Sequence, residues 1–248
     1  MIKMVIPMGG EGKRFIEKGY TFPKPLVEIK DKPMIEWVID NLTPSEKHQF
    51  IFLCKQEHLQ KYALKDVLEL ISPNGVVISM RGPTAGALCS VLLAMEHLKG
   101  EDELLVANAD QVIDIHIDDF LSAARKENWD GFIITFPSTH PKWSYVKLEE
   151  NQVVAVAEKR PISRNATAGL YYFRKGNDFL EAAEKMLLKN SSIEGQFYVA
   201  PIYNELILMG KRIGTFDVTR DQMHSLGTPE DVDNFVSYLS NKAPNIIS

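Results

Sequence analysis

Residues 8–15 of the chain read MGGEGKRF, and residues 22–27 read FPKPLV. The first stretch directly follows an apolar run at 2–6, so its glycines lie where the chain must turn sharply and expose amide N–H groups to an anion. Arg14 can add a bidentate phosphate contact. In the second stretch, prolines on both sides of Lys24 stiffen the backbone and restrict the position of the ammonium group. The two stretches together predict a phosphate-binding loop followed by a fixed cation.

Two familiar phosphate-binding motifs do not fit the glycine loop. A Walker P-loop requires glycine at the position of Pro7 and serine or threonine at the position of Arg14. A dinucleotide fingerprint that starts at Gly10 requires its third glycine at Phe15. The loop alone is equally compatible with a plain glycine-rich turn that carries a solvated basic pair.

The composition is that of an ordinary globular protein. The 248 residues are 45% hydrophobic and 25% charged, with a net charge of −5. The sequence has no block of lysine and arginine, so we expect neither a nucleic acid nor a membrane surface as a partner. Phosphate binding must then depend on a few local cations. The composition leaves the oligomeric state open.

The apolar segments and the two cysteines indicate the cellular compartment. Cys54 and Cys89 lie far apart in apolar segments, which predicts reduced core residues and no disulfide framework. The N-terminal apolar run is shorter than a signal sequence requires, and charges interrupt every later run before about 18 residues. We therefore expect a cytoplasmic protein.

The first half of the chain alternates strand and helix patterns. Short apolar runs predict buried strands at 2–6, 50–54, 76–80 and 104–107. Apolar stripes predict helices at 35–42, where Pro33 precedes in a position suited to a first turn, and at 59–67 and 88–95. This alternation is typical of a parallel sheet covered on both faces.

The second half reads as a more antiparallel sheet. Strands are predicted at 131–136, 145–148, 153–157 and 168–173, and helical stretches at 178–188 and 202–209. Residues 228–231 read TPED and start a closing amphipathic helix, and residues 243–248 are expected to fray. We expect a single domain over 1–248 with two halves, 1–128 and 129–242.

The glycine loop combined with residues 22–27 resembles the sugar nucleotidyltransferase family, the nucleoside-diphosphate-sugar pyrophosphorylases. Further segments resemble family segments along nearly the whole chain: 107–111 (ANADQ), 158–159 (EK), 168–172 (AGLYY) and 227–231 (GTPED). The resemblance implies the Rossmann-like nucleotide-diphospho-sugar transferase fold, an α/β fold with a mixed central sheet flanked by helices. Its site is expected outside the carboxyl ends of the strands.

The implied reaction joins a nucleoside triphosphate to a small phosphorylated acceptor, foremost a sugar 1-phosphate, and releases pyrophosphate. No protein nucleophile is needed, because an oxygen of the acceptor phosphate attacks the α-phosphorus. The resemblance assigns the amides of Gly9, Gly10 and Gly12 to the triphosphate. It assigns Arg14 to the leaving group and Lys24 to the charge near the α-phosphate.

The resemblance also implies a metal ligand and acceptor contacts. Asp110 ends a predicted strand and is the expected ligand of Mg²⁺, which prefers oxygen. Glu158 is expected to accept hydrogen bonds from acceptor hydroxyls, Lys159 to contact the acceptor phosphate, and Gly169 to admit the acceptor close to the backbone. Each also has a structural interpretation: a cap for Asp110, an exposed charge pair for Glu158 and Lys159, and a bulge for Gly169.

Residues 81–87 (RGPTAGA) are expected to recognise the base. Thr84, Ala85 and Gly86 offer backbone amides, and the glycine lets the ring approach closely. An ordinary loop at a helix start is the alternative interpretation. Backbone contacts carry little side-chain code, so the stretch does not distinguish among bases.

The resemblance weakens just before the closing Gly-Thr. Many family members carry a second acidic metal ligand at the position of Ser225. Asp217 and Asp221 are nearby substitutes, and His224 is a weaker one because Mg²⁺ prefers oxygen. The sequence leaves this ligand unassigned.

Three other functions remain as alternatives. The first is a cytidylyltransferase that acts on a non-sugar phosphate, since the residues do not name the acceptor. The second is a glycosyltransferase that consumes a nucleotide sugar, which the cations at 14 and 24 disfavour. The third is a non-catalytic nucleotide sensor, motivated by Ser225 and disfavoured by the presence of Arg14, Lys24 and Asp110.

Overall fold

A computed structural model describes residues 1–242 of the chain, so the fraying expected at 243–248 lies outside the described residues. The first half begins with a strand, a short helix and a small hairpin. Its elements are β1 (Ile2–Met8), α1 (Lys13–Glu17), β2 (Glu28–Ile29), β3 (Lys32–Pro33), α2 (Met34–Leu42), β4 (His48–Lys55), α3 (Gln56–Lys61), α4 (Leu64–Ile71), β5 (Val76–Met80), α5 (Ala87–Val91), α6 (Met95–Leu98), β6 (Glu103–Ala107), β7 (Gln111–Ile113) and α7 (Ile117–Lys126).

The second half carries the remaining strands and three helices. Its elements are β8 (Gly131–Pro137), β9 (Tyr145–Glu149), β10 (Gln152–Ala157), β11 (Asn165–Phe173), α8 (Gly176–Leu188), α9 (Ile202–Leu208), β12 (Ile213–Asp217), β13 (Met223–Ser225) and α10 (Pro229–Lys242). Short 3₁₀ turns at Lys24–Leu26, Leu92–Ala94 and Arg220–Gln222 complete the described elements.

Nine strands form one mixed sheet among the described residues. The order is β10-β9-β11-β6-β1-β4-β5, and β8 joins β11 to β12. Strands β6, β1, β4 and β5 run parallel, whereas β8, β9, β10 and β11 pair antiparallel with one another or with β6. The expectation of a mixed sheet, parallel first and then largely antiparallel, is confirmed.

Two apolar cores cover the two faces of the sheet. Along β4, Phe50 and Phe52 lie in one cluster while Ile51 and Leu53 lie in the other. Such strands are apolar at every position because both faces are buried. The buried parallel strands therefore bring their carboxyl ends to one edge of the sheet, which is where the functional residues meet.

Two predicted helices are interrupted. The stripe at 59–67 is divided between α3 and α4, because Ala63 adopts a φ of +51° and turns the chain. The stripe at 88–95 ends as α5 at Val91 and continues through a 3₁₀ turn into α6, and Met95 is exposed. Pro33 lies at the N-cap of α2 and not in its first turn. The apolar residues recur at helical spacing as predicted, but the helix is interrupted within each of these two stretches.

A smaller layer closes the chain over the sheet. Strand β13 pairs with β7, and α10 packs with α2 over a third core that contains Phe15, Leu226 and Phe235. No helix among residues 1–242 is both long and apolar enough to cross a membrane. The two cysteines of the chain are free thiols; Cys54 is buried as predicted, and burial raises its pKa to about 12, while Cys89 is only half-buried.

Candidate active site

A cavity of about 340 Å³ lies at the carboxyl ends of the parallel strands. Such a volume falls in the range of small-molecule sites, and this edge is where open α/β sheets bind ligands. Six predicted site residues line it: Gly9, Gly10, Lys24, Thr84, Gly86 and Asp110. The cavity therefore joins the glycine loop, Lys24, the predicted metal ligand Asp110 and residues 81–87, which we call the base loop.

The glycine loop and the Pro-Lys-Pro segment pack directly on each other. Gly12 is the N-cap of α1 with a φ of +63°, and a Cβ at this position would lie 3.3 Å from the Cβ of Lys24. Lys24 starts a 3₁₀ turn in which Pro25 is buried. The absence of a side chain at Gly12 thus lets the lysine backbone approach the loop.

Lys24 and Asp110 form an ion pair at the floor of the cavity. The ammonium group bonds the Oδ2 atom of Asp110 from a position 5.8 Å from the ring centroid of Phe15. The lysine and aspartate side chains are 18% and 30% exposed, so both partners remain accessible to a ligand. The two residues are 86 positions apart in the sequence, and only the parallel arrangement of β1 and β6 brings them together.

Backbone hydrogen bonds hold the Asp110 segment in place. The carbonyl of Asp110 accepts from the N–H of Leu226 at 2.7 Å, and the N–H of Asn108 donates to the carbonyl of Gly169 at 3.0 Å. A Cβ on Gly169 would lie 1.8 Å from the Gln111 side chain, and the residue has a φ of +69° within a bulge of β11. This contact gives Gly169 a structural reason to be glycine, and its acceptor role stays a prediction.

The base loop is fixed by hydroxyl groups and by a distant segment. The hydroxyl of Thr84 donates to the carbonyl of Gly86 at 3.0 Å and lies 2.7 Å from the Ser90 hydroxyl. The N–H of Phe197 donates to the carbonyl of Ala85 at 2.7 Å. Gly86 has a φ of +111°, and a Cβ there would lie 2.4 Å from the Phe197 carbonyl oxygen. Ala85 is exposed and does not line the cavity.

Five predicted site residues lie outside the cavity lining besides Ala85. They are Gly12, Arg14, Glu158, Lys159 and Gly169. Arg14 is exposed on α1 and makes no ion pair with a described residue. The structure thus places the nucleotide residues around one cavity and leaves Arg14 beside it.

Glu158 and Lys159 follow β10 in the antiparallel half. The carboxylate of Glu158 accepts a hydrogen bond from Ser144, and burial raises the pKa of this carboxyl. The ammonium group of Lys159 donates to the Tyr198 hydroxyl at 2.7 Å, and this bond raises the pKa of the lysine. Lys159 has a φ of +53°, so the chain turns where these two side chains diverge.

Sequence reasoning missed Lys55 and Ser90 in the cavity wall, and it quoted Asn108 without assigning it a role. Gln196, from the second half of the chain, also lines the cavity. Lys55 ends β4 and forms an ion pair with Glu11 of the glycine loop, which lowers the pKa of that carboxyl. A lysine at the carboxyl end of a predicted parallel strand was the available signal, because such ends face the site.

Three residues considered for the second metal position lie elsewhere. The carboxylate of Asp217 accepts a hydrogen bond from Thr135, and Asp221 is exposed. His224 packs 4.1 Å from the ring of Tyr238, burial lowers its pKa, and its Nε2 atom has no hydrogen-bond partner among the described residues. None of the three lines the cavity.

The turn from Ser225 to Asp231 instead lies beside Asp110. A Cβ on Gly227 would lie 3.3 Å from the Ser225 hydroxyl, 3.6 Å from a carboxylate oxygen of Asp231 and 3.7 Å from one of Asp110. That point is the position of a Cβ bonded to the Gly227 Cα, so it is not itself a metal position. The partly exposed carboxylate of Asp110, which lines the cavity, is the oxygen donor that suits a divalent ion.

A glycine loop, a fixed lysine and an aspartate at the carboxyl ends of a mixed sheet are typical of α/β proteins that bind nucleotides there. The chain belongs to the Nucleotidyl transferase family, whose sequence model matches residues 3–200. This match confirms the resemblance seen in residues 8–15 and 22–27.

Relatives and solved structures agree with that assignment. The chain is 24% identical over 224 residues to the bifunctional protein GlmU of Fervidobacterium nodosum, covering 86% of this chain and 45% of that protein. It is 26% identical over 210 residues to the mannose-1-phosphate guanylyltransferase catalytic subunit beta of Xenopus tropicalis. The match covers 80% of this chain and 56% of that protein. The chain spans about half the length of the curated relatives it matches.

The fold is shared along nearly the full length of a solved structure. The nucleoside-diphosphate-sugar pyrophosphorylase from Vibrio cholerae RC9 superimposes with a TM-score of 0.79 and 26% identity, covering 94% of this chain and 99% of that one. A UDP-glucose pyrophosphorylase from Acinetobacter baumannii, at 17% identity and a TM-score of 0.76, shows the same fold. The predicted fold class is confirmed.

Proposed function

We propose that the chain joins a nucleoside triphosphate to a sugar 1-phosphate and releases pyrophosphate. The observation that carries the proposal is the Lys24–Asp110 pair, which lies in one cavity with the glycine loop and the base loop. A cation and a carboxylate suited to a metal ion are what two approaching phosphates require. The names of the relatives in the family favour a sugar phosphate as the acceptor.

The chemistry follows from the charges of the reactants. The acceptor phosphate is ionised near neutral pH, so its oxygen attacks the α-phosphorus without a protein nucleophile. The backbone amides of Gly9 and Gly10 hold phosphate oxygens, and Lys24 stabilises the charge that accumulates as the two anions meet. Arg14 and Lys55 are cations available to the leaving pyrophosphate, from α1 and from the end of β4. Lys55 pairs with Glu11 of the glycine loop, and Arg14 lies on α1, which follows that loop.

A divalent ion belongs to this proposal because the Asp110 carboxylate lines the cavity. Mg²⁺ bound there would supply positive charge that offsets the charge of the phosphates. Asp110 is the residue that would hold it, and its backbone is fixed by the bond from Leu226. Lys24 bonds one oxygen of the same carboxylate and so fixes the orientation of that carboxylate.

We assign the two halves of a single domain to the two substrates. Residues 1–128 carry every residue of the cavity lining except Gln196 and are assigned to the nucleotide, whereas 129–242 carry Glu158, Lys159 and Gly169 and are assigned to the acceptor. The backbone bond from Phe197 to Ala85 joins the acceptor half to the base loop.

The test is a matrix of nucleoside triphosphates and phosphorylated acceptors, assayed with Mg²⁺ for pyrophosphate release. Sugar 1-phosphates and non-sugar phosphates such as amino-alcohol phosphates form the two acceptor sets. Pyrophosphate release with one triphosphate and a sugar 1-phosphate supports the proposal, and release with only a non-sugar phosphate corrects the acceptor. Sugar transfer from a nucleotide sugar without pyrophosphate release, or binding without turnover, refutes it.

A further inference from the structure

The turn that follows strand β6 holds a pair of side-chain amides next to Asp110. The amide nitrogen of Asn108 donates a hydrogen bond to the side-chain oxygen of Gln111 at 3.0 Å. Gln111 is buried, whereas Asn108 is exposed and lines the cavity. The two residues stand on either side of Asp110 in the chain, so the amide of Asn108 lies where the proposed reaction occurs.

Strand β11 packs directly against this amide pair. The N–H of Asn108 donates to the carbonyl of Gly169 at 3.0 Å. A Cβ on Gly169 would lie 1.8 Å from the side-chain oxygen of Gln111 and 2.4 Å from the amide nitrogen of Asn108. The two amides therefore occupy the space of a side chain at position 169. In the sheet, β11 lies on one side of β6 and β1 on the other, so Asn108 is bonded to the acceptor half of the chain.

The same stretch of β11 is tied to Glu158, the residue predicted to bind acceptor hydroxyls. The N–H of Thr167 donates to the carbonyl of Ser144 at 2.8 Å, and the Ser144 hydroxyl donates to the Glu158 carboxylate. Thr167 and Gly169 lie where the register between β11 and β8 shifts. The amide pair and the Glu158 carboxyl are therefore connected to one irregular stretch of one strand.

Stabilisation of the turn accounts for only part of this arrangement. A side-chain bond between residues three positions apart holds a turn without any group exposed to a ligand. The side-chain oxygen of Asn108, however, accepts no hydrogen bond from residues 1–242, although Asn108 lines the cavity. An amide offers both a donor and an acceptor, which matches a hydroxyl group, whereas an ammonium group only donates.

We propose that Asn108 recognises a ring hydroxyl of the sugar phosphate and that Gln111 positions the Asn108 amide. The proposal rests on the proposed function and names a residue that determines its acceptor. The oxygen of Asn108 accepts from the hydroxyl, and its remaining N–H donates to it. An amino-alcohol phosphate would leave that donor unused, so the amide favours a ring compound with several hydroxyls.

The experiment measures the equilibrium binding of nucleoside diphosphate hexoses to the full chain by isothermal titration calorimetry. The sugar of such a product is the former acceptor, so it reports on the acceptor position. The probes are UDP-glucose, dTDP-glucose, CDP-glucose and GDP-mannose, and each is compared with the nucleoside diphosphate of the same base. The probe that binds the native chain most tightly is used for the variants.

Asn108→Ala is expected to weaken binding of the nucleotide sugar about three- to tenfold, which corresponds to the loss of one hydrogen bond. Its affinity for the matching nucleoside diphosphate is expected to stay unchanged, because the lost bond is to the sugar. Asn234→Ala is the matched control, since Asn234 is exposed on α10 and outside the cavity lining. It is expected to change neither affinity.

A second variant tests the positioning role of Gln111. Gln111→Met keeps the size of the side chain and removes the oxygen that accepts from Asn108. It is expected to weaken binding of the nucleotide sugar by a smaller factor than Asn108→Ala, again without a change for the nucleoside diphosphate. A turn that is merely destabilised would not separate the two ligands. If Asn108→Ala does not fold, Gln111→Met carries the comparison.

Several results overturn the proposal. These are equal nucleotide-sugar affinity in the native chain and Asn108→Ala, equal weakening of both ligands, no binding of any of the four nucleotide sugars by the native chain, or, where Asn108→Ala does not fold, unchanged affinity in Gln111→Met. Because the measurement involves no turnover, its outcome is separate from the reaction. The expected loss of binding in a chain that releases no pyrophosphate contradicts the proposed function alone. Turnover of a sugar 1-phosphate with an unchanged acceptor KM in Asn108→Ala contradicts this inference alone.

Discussion

Lys24 is the side chain on which the proposed reaction depends most. Lys24→Met keeps most of the stem and deletes the cation, so charge on the approaching phosphates loses its counter-charge. Loss of one preorganised contact of this kind costs about 2.7–4 kcal/mol, and we expect turnover to fall about 10²- to 10³-fold with a smaller effect on triphosphate affinity. Steady-state kinetics with saturating substrates measure both quantities.

Lys32→Met is the matched control for that substitution. Lys32 also pairs with an aspartate, Asp40, but this pair joins β3 to α2 and lies outside the cavity. An exposed pair contributes little, so we expect near-normal turnover. Near-normal turnover of folded Lys24→Met would show that the lysine is only part of a solvated loop.

Lys55 is a second cation, which the structure places at the cavity. We expect Lys55→Met to raise the KM for the triphosphate about tenfold, because one charge-assisted phosphate bond is lost. The effect on turnover should be smaller, since the contact to the departing pyrophosphate is present in both the bound substrate and the transition state. Lys61→Met, on the exposed side of α3, is the control, and equal KM values in the two variants would remove Lys55 from the site.

Among the loops, the base loop depends on the backbone of Gly86. Gly86→Ala places a Cβ 2.4 Å from the carbonyl oxygen of Phe197, at a φ of +111°. Backbone strain of this kind costs roughly 1–3 kcal/mol, so we expect a lower thermal midpoint and a higher KM for the triphosphate. The loop and the Phe197 segment must separate to relieve the contact.

Gly82→Ala tests whether that effect comes from the contact. Gly82 lies in the same loop and lines the same cavity, but a Cβ there meets nothing within 4 Å. Thermal unfolding of Gly82→Ala should resemble that of the native chain. Equal loss of stability in both variants would contradict the assigned role of the Phe197 contact.

The stability of the folded chain should depend on pH through Glu158. Burial raises the pKa of this carboxyl above its ordinary value of 4.5. The proton therefore binds more tightly in the folded state, and the associated stability is present below pH 4.5 and is lost as the pH rises through the folded-state pKa. Glu158→Gln cannot ionise and keeps an acceptor for the Ser144 hydroxyl, so it escapes this loss.

We therefore expect Glu158→Gln to unfold at a higher midpoint than the native chain near pH 8, with the difference shrinking toward pH 4.5. Thermal unfolding at a series of pH values measures it, and Glu150→Gln in an exposed turn is the control. The KM for the acceptor should rise in the same variant if Glu158 binds acceptor hydroxyls. A pH-independent difference would contradict the account of burial.

Eight of the nine strands of the main sheet, the glycine loop and the order of parallel and antiparallel pairing were predictable from the sequence, whereas β12 was not predicted. Apolar runs and glycine-rich turns report local backbone preferences and burial, which depend on neighbouring residues. The cavity residues 9, 10, 24, 84, 86 and 110 were also named in advance, through the resemblance of their segments to motifs of the family. They share one cavity because the carboxyl ends of parallel strands meet at one edge.

The breaks within two helical stripes, the contact of Gly86 with Phe197, the place of Lys55 and the approach of Asp231 to Asp110 came from the folded chain. Each depends on the distance between segments that are remote in sequence, or on a backbone turn such as that at Ala63, which apolar spacing does not encode. Side-chain type predicts which chemistry a residue can perform. Which partner it meets is set by the packing of the sheet, the turn before α10 and the segment at 193–198, because only these bring the groups within bonding distance.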